Sequence, residues 1–158
     1  MVRRKEILDA AAELLAELGP GTLTVDQVAE KVGIGKTTVY LYYPSRENLL
    51  EAATRQVLAD CLTEATAATE GLAPEQAIDA YCRQLFKAAS RLPVEVFSLG
   101  WVETATGREA MEAYLADQFV AVAVETATRL VEQVGCAPES ARSTGRTLTA
   151  AVLMEAQW

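Results

Sequence analysis

The stretch "GIGKTTVYLYY", Gly33 to Tyr43, decides the fold because it admits two incompatible readings. Gly35-Lys36-Thr37 has the order of a phosphate-binding loop, whereas the residues after it are apolar or tyrosine at helical spacing. A phosphate loop needs another Gly five residues before Gly35, a buried strand ahead of it and a helix starting just after the Lys. Position 30 is Glu, whose carboxylate would repel a triphosphate, and the preceding "TVDQVAEKV" has helical spacing with three charges. No second motif supplies a strand-borne Asp for magnesium.

A helix-turn-helix uses the same residues more fully. Two short helices crossing steeply need a small residue where they meet, a turn residue that tolerates positive φ, and an apolar anchor on the second helix. Ala29, Gly33 and Val39 supply these at offsets i, i+4 and i+10, with Ile34 as a plug for the turn. Val28 and Val32 then face the helix before, while Val39 and Tyr43 bury one stripe of the helix after. Lys36, Thr37, Tyr40 and Leu41 are left on its open side.

That open side has the chemistry of a major-groove reader. Lys36 reaches a guanine edge or a phosphate, Thr37 and Thr38 bond base edges or phosphate, and Leu41 meets a thymine methyl. Tyr40 and Tyr42 are tall enough to donate to phosphates on the groove walls. Thr24 and Arg46, at the starts of the flanking helices, are placed to clamp the backbone on either side.

The surrounding chain reads as helix after helix. Ile7, Leu8, Ala11, Leu14, Leu15 and Leu18 share one face, and Gly19-Pro20-Gly21 stops that helix. Thr24 with Gln27 forms a capping box for a helix from Val25 to Val32, a third helix follows from Lys36 to Tyr43, and Ser45 caps a fourth from Arg46 that fades before Gly71. Pro74 opens a helix to about Arg91, Pro93 introduces "VEVFSLGWVETATG", Gly107 precedes a long pattern reaching Val134, and a last helix follows Pro138. The expected fold is all-α, with a helix-turn-helix domain at residues 1–46 and a helical ligand-binding and dimerisation bundle at 47–158.

Composition agrees with this reading. A 51% hydrophobic content over 158 residues suffices for a real core, and 6% aromatics with abundant Ala suits helices. The longest apolar run is the six residues from Phe119 to Val124, far short of a membrane span, so a soluble cytoplasmic protein without membrane contact is expected. The net charge of -8 repels nucleic acid, but residues 1–50 hold six Lys or Arg against seven acids and the rest eight against fifteen. Any nucleic-acid surface is therefore local and N-terminal. Cys61, Cys82 and Cys136 are far apart in a chain without His, which excludes Ser-His and Cys-His catalysis and reads as small buried thiols with no metal or cofactor.

"ILDAAAELLAELG" and "TVDQVAEKVGIGKTTVYLYYPSRENLL", with their spacing, resemble the N-terminal region of the tetracycline-repressor (TetR) family over Ile7 to Leu50. The resemblance implies an all-helical homodimer on a double-stranded DNA operator, with a C-terminal body that binds a small molecule and alters the separation of two recognition helices. It puts operator contacts on Thr24, Gly35, Lys36, Thr37, Tyr40, Leu41, Tyr42 and Arg46. Two departures stand out. Gly35 replaces a frequent Ser, which removes a hydroxyl, and Tyr43 replaces a common Phe, so that its hydroxyl must find a partner or lie at the surface.

The C-terminal body carries a looser signal. Tyr81, Leu85, Phe97, Trp101, Met111, Tyr114 and Phe119 gather large side chains in the middle helices, as a pocket for an apolar or aromatic effector would. The same residues suit an ordinary core. The resemblance implies a dimer built as a four-helix bundle by the last two helices of each subunit. The chain stops at Trp158 within a helical pattern, which leaves a truncated chain or a dimer through the Gly107–Val134 and post-Pro138 helices as alternatives. The expected function is a ligand-responsive transcriptional regulator, a repressor and not an enzyme. The competing readings are a nucleotide-binding enzyme on Gly35-Lys36-Thr37, a hydrolase on Glu109 and Glu112, and a DNA-binding module controlled by a protein partner.

Overall fold

Gly33 ends one helix and Gly35 begins the next, and the backbone between them makes the turn that the sequence demands. In the computed structural model of the chain, which describes residues 2–156, the first helices are α1 (Val2–Leu18), α2 (Val25–Val32) and α3 (Lys36–Tyr42). Gly33 stands at φ 74°, ψ 37°, the left-handed region that a side chain would strain, and the amide of Ile34 returns to the carbonyl of Ala29 at 2.9 Å. The capping box of α2 is complete, with Gln27 N donating to Thr24 Oγ1 at 3.3 Å and Thr24 N donating to Gln27 Oε1 at 2.7 Å.

Among the described residues six helices follow α3, one of them a short turn: α4 (Arg46–Ala67), α5 (Pro74–Ala89), α6 (Glu95–Ser98), α7 (Ala105–Tyr114), α8 (Ala121–Gln133) and α9 (Pro138–Glu155). Ser45 Oγ accepts from Asn48 N at 3.0 Å, so it caps α4 as expected. No strand occurs among the described residues, and the residues before Gly35 are helix α2. The phosphate-loop reading therefore lacks its strand.

The long helix expected after Gly107 is broken and begins earlier. Gly107 lies inside α7, its amide donating to Thr104 Oγ1 at 3.1 Å, and Leu115–Val120 widens into a π-helical turn before α8. A π turn holds the direction of the chain while shifting its faces, so an apolar period of 3.6 cannot register it. It leaves Phe119 buried.

Two compact units divide the chain. One holds the described residues to Val57 together with Leu92–Glu112, and the other holds Leu58–Arg91 with the described residues from Ala113. Helix α4 begins in the first unit, to which the segment 92–112 also belongs. Thr104 N and Oγ1 both donate to Glu47 Oε1, at 3.1 and 2.9 Å, which ties that segment to the first turn of α4.

The first unit is built on Ile7, Leu15, Leu23, Val28, Val39 and Leu49, all fully buried. The second packs α5, α8 and α9 around Tyr81, Leu85, Ala123 and Ala127, with Tyr81 Oη donating to the Ala123 carbonyl at 3.3 Å. Among the cysteines only Cys61 is buried, and burial pushes its thiol up to about 12. Cys82 is half-buried and Cys136 exposed, which corrects the expectation of three buried thiols. No helix among the described residues is long and apolar enough to cross a membrane.

Candidate nucleic-acid interface

The turn at Gly33 sets α3 with Val39 inward and fully buried, and everything else about the interface follows from that anchor. Lys36, Thr37, Tyr40 and Leu41 come to the open side as the spacing requires, with Leu41 78% exposed and Tyr40 39%. A leucine left that open on a short helix has no packing role in its own chain, which suits contact with an apolar group elsewhere. Tyr42 is also exposed, whereas Thr38 is half-buried and offers less of itself. Gly35 is exposed and leads into α3 with φ -75°, ψ 146° and no side-chain cap, so the missing hydroxyl has no substitute.

Other predicted contacts are already engaged within the protein. Thr24 Oγ1 donates to Gln27 Oε1 at 2.9 Å while it accepts from the Gln27 amide, so its hydroxyl serves the cap of α2. Arg46 is turned inward: Nε donates to the Leu23 carbonyl at 2.8 Å, and Nη2 donates to the carbonyls of Pro20 and, at 3.5 Å, Gly21. The guanidinium thus staples the loop between α1 and α2. Lys36 Nζ lies 2.7 Å from Asp26 Oδ2, and that carboxylate raises the pKa of the ammonium above its ordinary value.

The same holds for the remaining cations of the first fifty residues. Arg3 faces Glu6 at 3.6 Å, Lys5 faces Asp9 at 2.6 Å, and Lys31 faces Glu13 at 2.9 Å, while the Arg4 guanidinium sits 5.5 Å from the centroid of the Tyr43 ring. The sequence reading named none of these partners. Two lie four or fewer residues away and were open to a helical-spacing argument, but Asp26 to Lys36, Glu13 to Lys31 and Arg4 to Tyr43 are joined only by tertiary folding.

Tyr43 is buried, and its hydroxyl has no hydrogen-bond partner in the structure. This overturns the expectation that the hydroxyl is either paired or at the surface. An orphaned buried hydroxyl costs about 1–3 kcal/mol, so Tyr43→Phe is expected to raise the unfolding free energy by about 1 kcal/mol, read from the denaturation midpoint. The ring under Arg4 is kept in that variant, and a loss of stability would show that the hydroxyl has a partner after all.

The residues read as a ligand pocket are distributed over both units. Tyr81, Leu85 and Phe119 are buried in the second, and Tyr114 is half-buried there. Trp101 and Met111 are buried in the first, with Phe97 half-buried. A groove of about 730 Å³ runs along α8 and α9, and none of these seven lines it. Its walls are Val120, Val124 and Leu153 with Arg142, Arg146, Glu125 and Glu132. Large apolar side chains report burial, and cores and pockets share that property.

Residues 7–53 match the family model described as bacterial regulatory proteins, tetR family. The chain is 34% identical over 91 residues to the HTH-type transcriptional regulator RutR of Escherichia coli K12, covering 58% of this chain and 43% of RutR. It is 38% identical over 58 residues to the class D tetracycline repressor protein of Escherichia coli, covering 37% of this chain and 27% of that protein. The chain thus spans less than half the length of these relatives. A transcriptional regulator from Rhodococcus sp. superposes with a TM-score of 0.72 at 17% identity, over 97% of this chain and 81% of that one. BioQ with its double-stranded DNA operator superposes at 0.59 and 22% identity, over 98% and 85%, and at such identities the likeness shows the fold.

Proposed function

We propose, on the premise that the chain belongs to the tetR family of bacterial regulatory proteins, that it is a DNA-binding repressor released from its operator by a small molecule. One observation carries this reading: α3 buries Val39 and turns Lys36, Thr37, Tyr40 and Leu41 together to the open side of a complete helix-turn-helix. Leu41 and Thr37 read base edges, Tyr40 and Tyr42 hold phosphates, and Lys36 contacts the duplex with the ammonium donors that Asp26 does not take. Arg46 acts by holding the loop ahead of α2. No covalent chemistry is involved.

The repressor works as a homodimer, with two α3 helices in successive major grooves about 34 to 36 Å apart on a near-palindromic site. The groove along α8 and α9 supports this, since it brings the exposed Val120 and the half-buried Val124 and Leu153 together with both Arg and Glu, a set that a second copy related by a twofold axis can match. The effector is apolar or aromatic. The Trp101 Nε1–H, buried without a hydrogen-bond partner in the structure, favours a molecule that also offers an acceptor. An effector that binds a conformation with another α3 separation draws the population off DNA.

The test is to select a duplex from a randomised library with the full chain and titrate it, and a scrambled duplex, at rising salt. The selected duplex is expected to bind at least a hundredfold more tightly, and both affinities to fall as salt rises. Equal affinities would end the reading. Lys36→Ala is expected to weaken binding of the selected duplex by about tenfold without moving the thermal midpoint. Intact affinity in that variant would remove α3 from the interface.

A further inference from the structure

Each of the six cations in the first fifty residues is held by a partner of its own protein. Binding to arbitrary DNA is almost wholly electrostatic, driven by the counterions released when free cations neutralise phosphates. A cation already paired with a carboxylate releases fewer of them, and its carboxylate stays beside the duplex to repel it. Five of the six serve α1, the loop ahead of α2, or the flank of α2. The sixth, Lys36, lies in the first turn of the recognition helix.

From this arrangement, and resting on the DNA-binding reading above, we infer that Asp26 is a specificity-determining residue of the interface. It offsets the charge of Lys36 toward arbitrary DNA and aims the same ammonium for the operator. Asp26 stands in the first turn of α2, where the helix dipole favours a carboxylate, and its Oδ2 receives Lys36 Nζ at 2.7 Å across the turn. An ammonium has three N–H donors and Asp26 takes one of them. The other two remain for a base edge or phosphate, now at a defined place instead of at the end of a freely rotating four-carbon chain.

Both side chains are substantially exposed, so a duplex can reach the ammonium while the pair stays formed. Arbitrary DNA is bound mainly through its phosphates, which the Asp26 carboxylate repels. The operator accepts Lys36 where Asp26 holds it, together with Thr37 and Leu41.

Asp26→Asn keeps the size of the side chain and removes its charge. In the full chain this variant is expected to bind the scrambled duplex roughly three- to tenfold more tightly, with a salt slope steeper by about one phosphate contact. Affinity for the selected duplex is expected to change less, so the ratio of the two affinities falls by roughly fivefold. An unchanged or increased ratio would overturn the inference.

The same substitution in a Lys36→Ala background separates the pair from bulk charge. There the ratio is expected to stay where Lys36→Ala alone puts it. A fall as large as in the wild-type background would show Asp26 acting without Lys36 and would also overturn the inference. If the wild type itself does not distinguish the two duplexes, it is the DNA-binding reading that has failed, and the two failures are separate in the same titration. Asp26→Glu, which restores the charge at a longer reach, is expected to recover the suppression of scrambled-duplex binding, and an affinity as high as that of Asp26→Asn would count against the inference.

Discussion

Gly145→Ala is expected to lower the unfolding free energy by about 2 kcal/mol, although the same change at an open helical site gains about 1 kcal/mol. Gly145 is buried in α9 where that helix packs on α8. A methyl group there would collide with Thr128 Oγ1 and stand 2.8 Å from the Thr128 amide nitrogen and 3.0 Å from its Cα. The hydroxyl could rotate, but the backbone of α8 cannot, so the two helices must move apart and their shared contacts loosen.

Thr128 Oγ1 also donates to the Val124 carbonyl at 2.7 Å, which gives the collision a second cost. Adding Thr128→Ala to Gly145→Ala is therefore expected to restore part of the loss and no more, because the backbone contacts remain. Urea denaturation of the single and the double variant measures this. A Gly145→Ala protein more stable than the wild type would mean that α9 does not approach α8 this closely. Since α8 and α9 also form the walls of the groove assigned to the second copy, sedimentation of the same variant is expected to show weaker self-association.

Arg46→Ala carries the second large effect, a loss of about 2–3 kcal/mol, the value of charge-assisted hydrogen bonds removed from acceptors that cannot find equal partners. The carbonyls of Leu23, Pro20 and Gly21 converge on one guanidinium, and no smaller group reaches all of them. Arg46→Lys is expected to recover less than half of the loss, since an ammonium has neither the planar fork nor the reach. The thermal midpoint checks the structural part. Titration of the selected duplex well below that midpoint checks the other: affinity within twofold of wild type assigns Arg46 to the loop, whereas a salt-dependent loss assigns it to phosphate as well.

These two residues mark different limits of what a sequence discloses. Arg46 is at the start of a helix beside a DNA-reading motif, and its position along the chain suggests a phosphate clamp. Its actual acceptors lie 23 to 26 residues earlier, in a loop whose carbonyls turn toward it only after α1 and α2 have packed. Gly145 reads as a weak point in a helix, and only the proximity of Thr128 gives it a purpose. The π-helical turn at Leu115–Val120 belongs with them, because it breaks the very period by which helices are recognised.

The helix-turn-helix is the opposite case. Thr24, Gln27, Ala29 and Gly33 act on neighbours no more than five residues away, through a capping box and a left-handed turn. Such interactions are local, so their residue types and spacing carry them completely. The sequence by itself therefore determined α2, the turn, α3 and which side of α3 is open. The tertiary structure alone decided what holds Arg4, Lys31, Lys36 and Arg46, that Tyr43 buries an unpartnered hydroxyl, and which large side chains belong to each unit. Those outcomes depend on groups distant along the chain meeting in space, and a charge or an apolar side chain has the same letter whatever it meets.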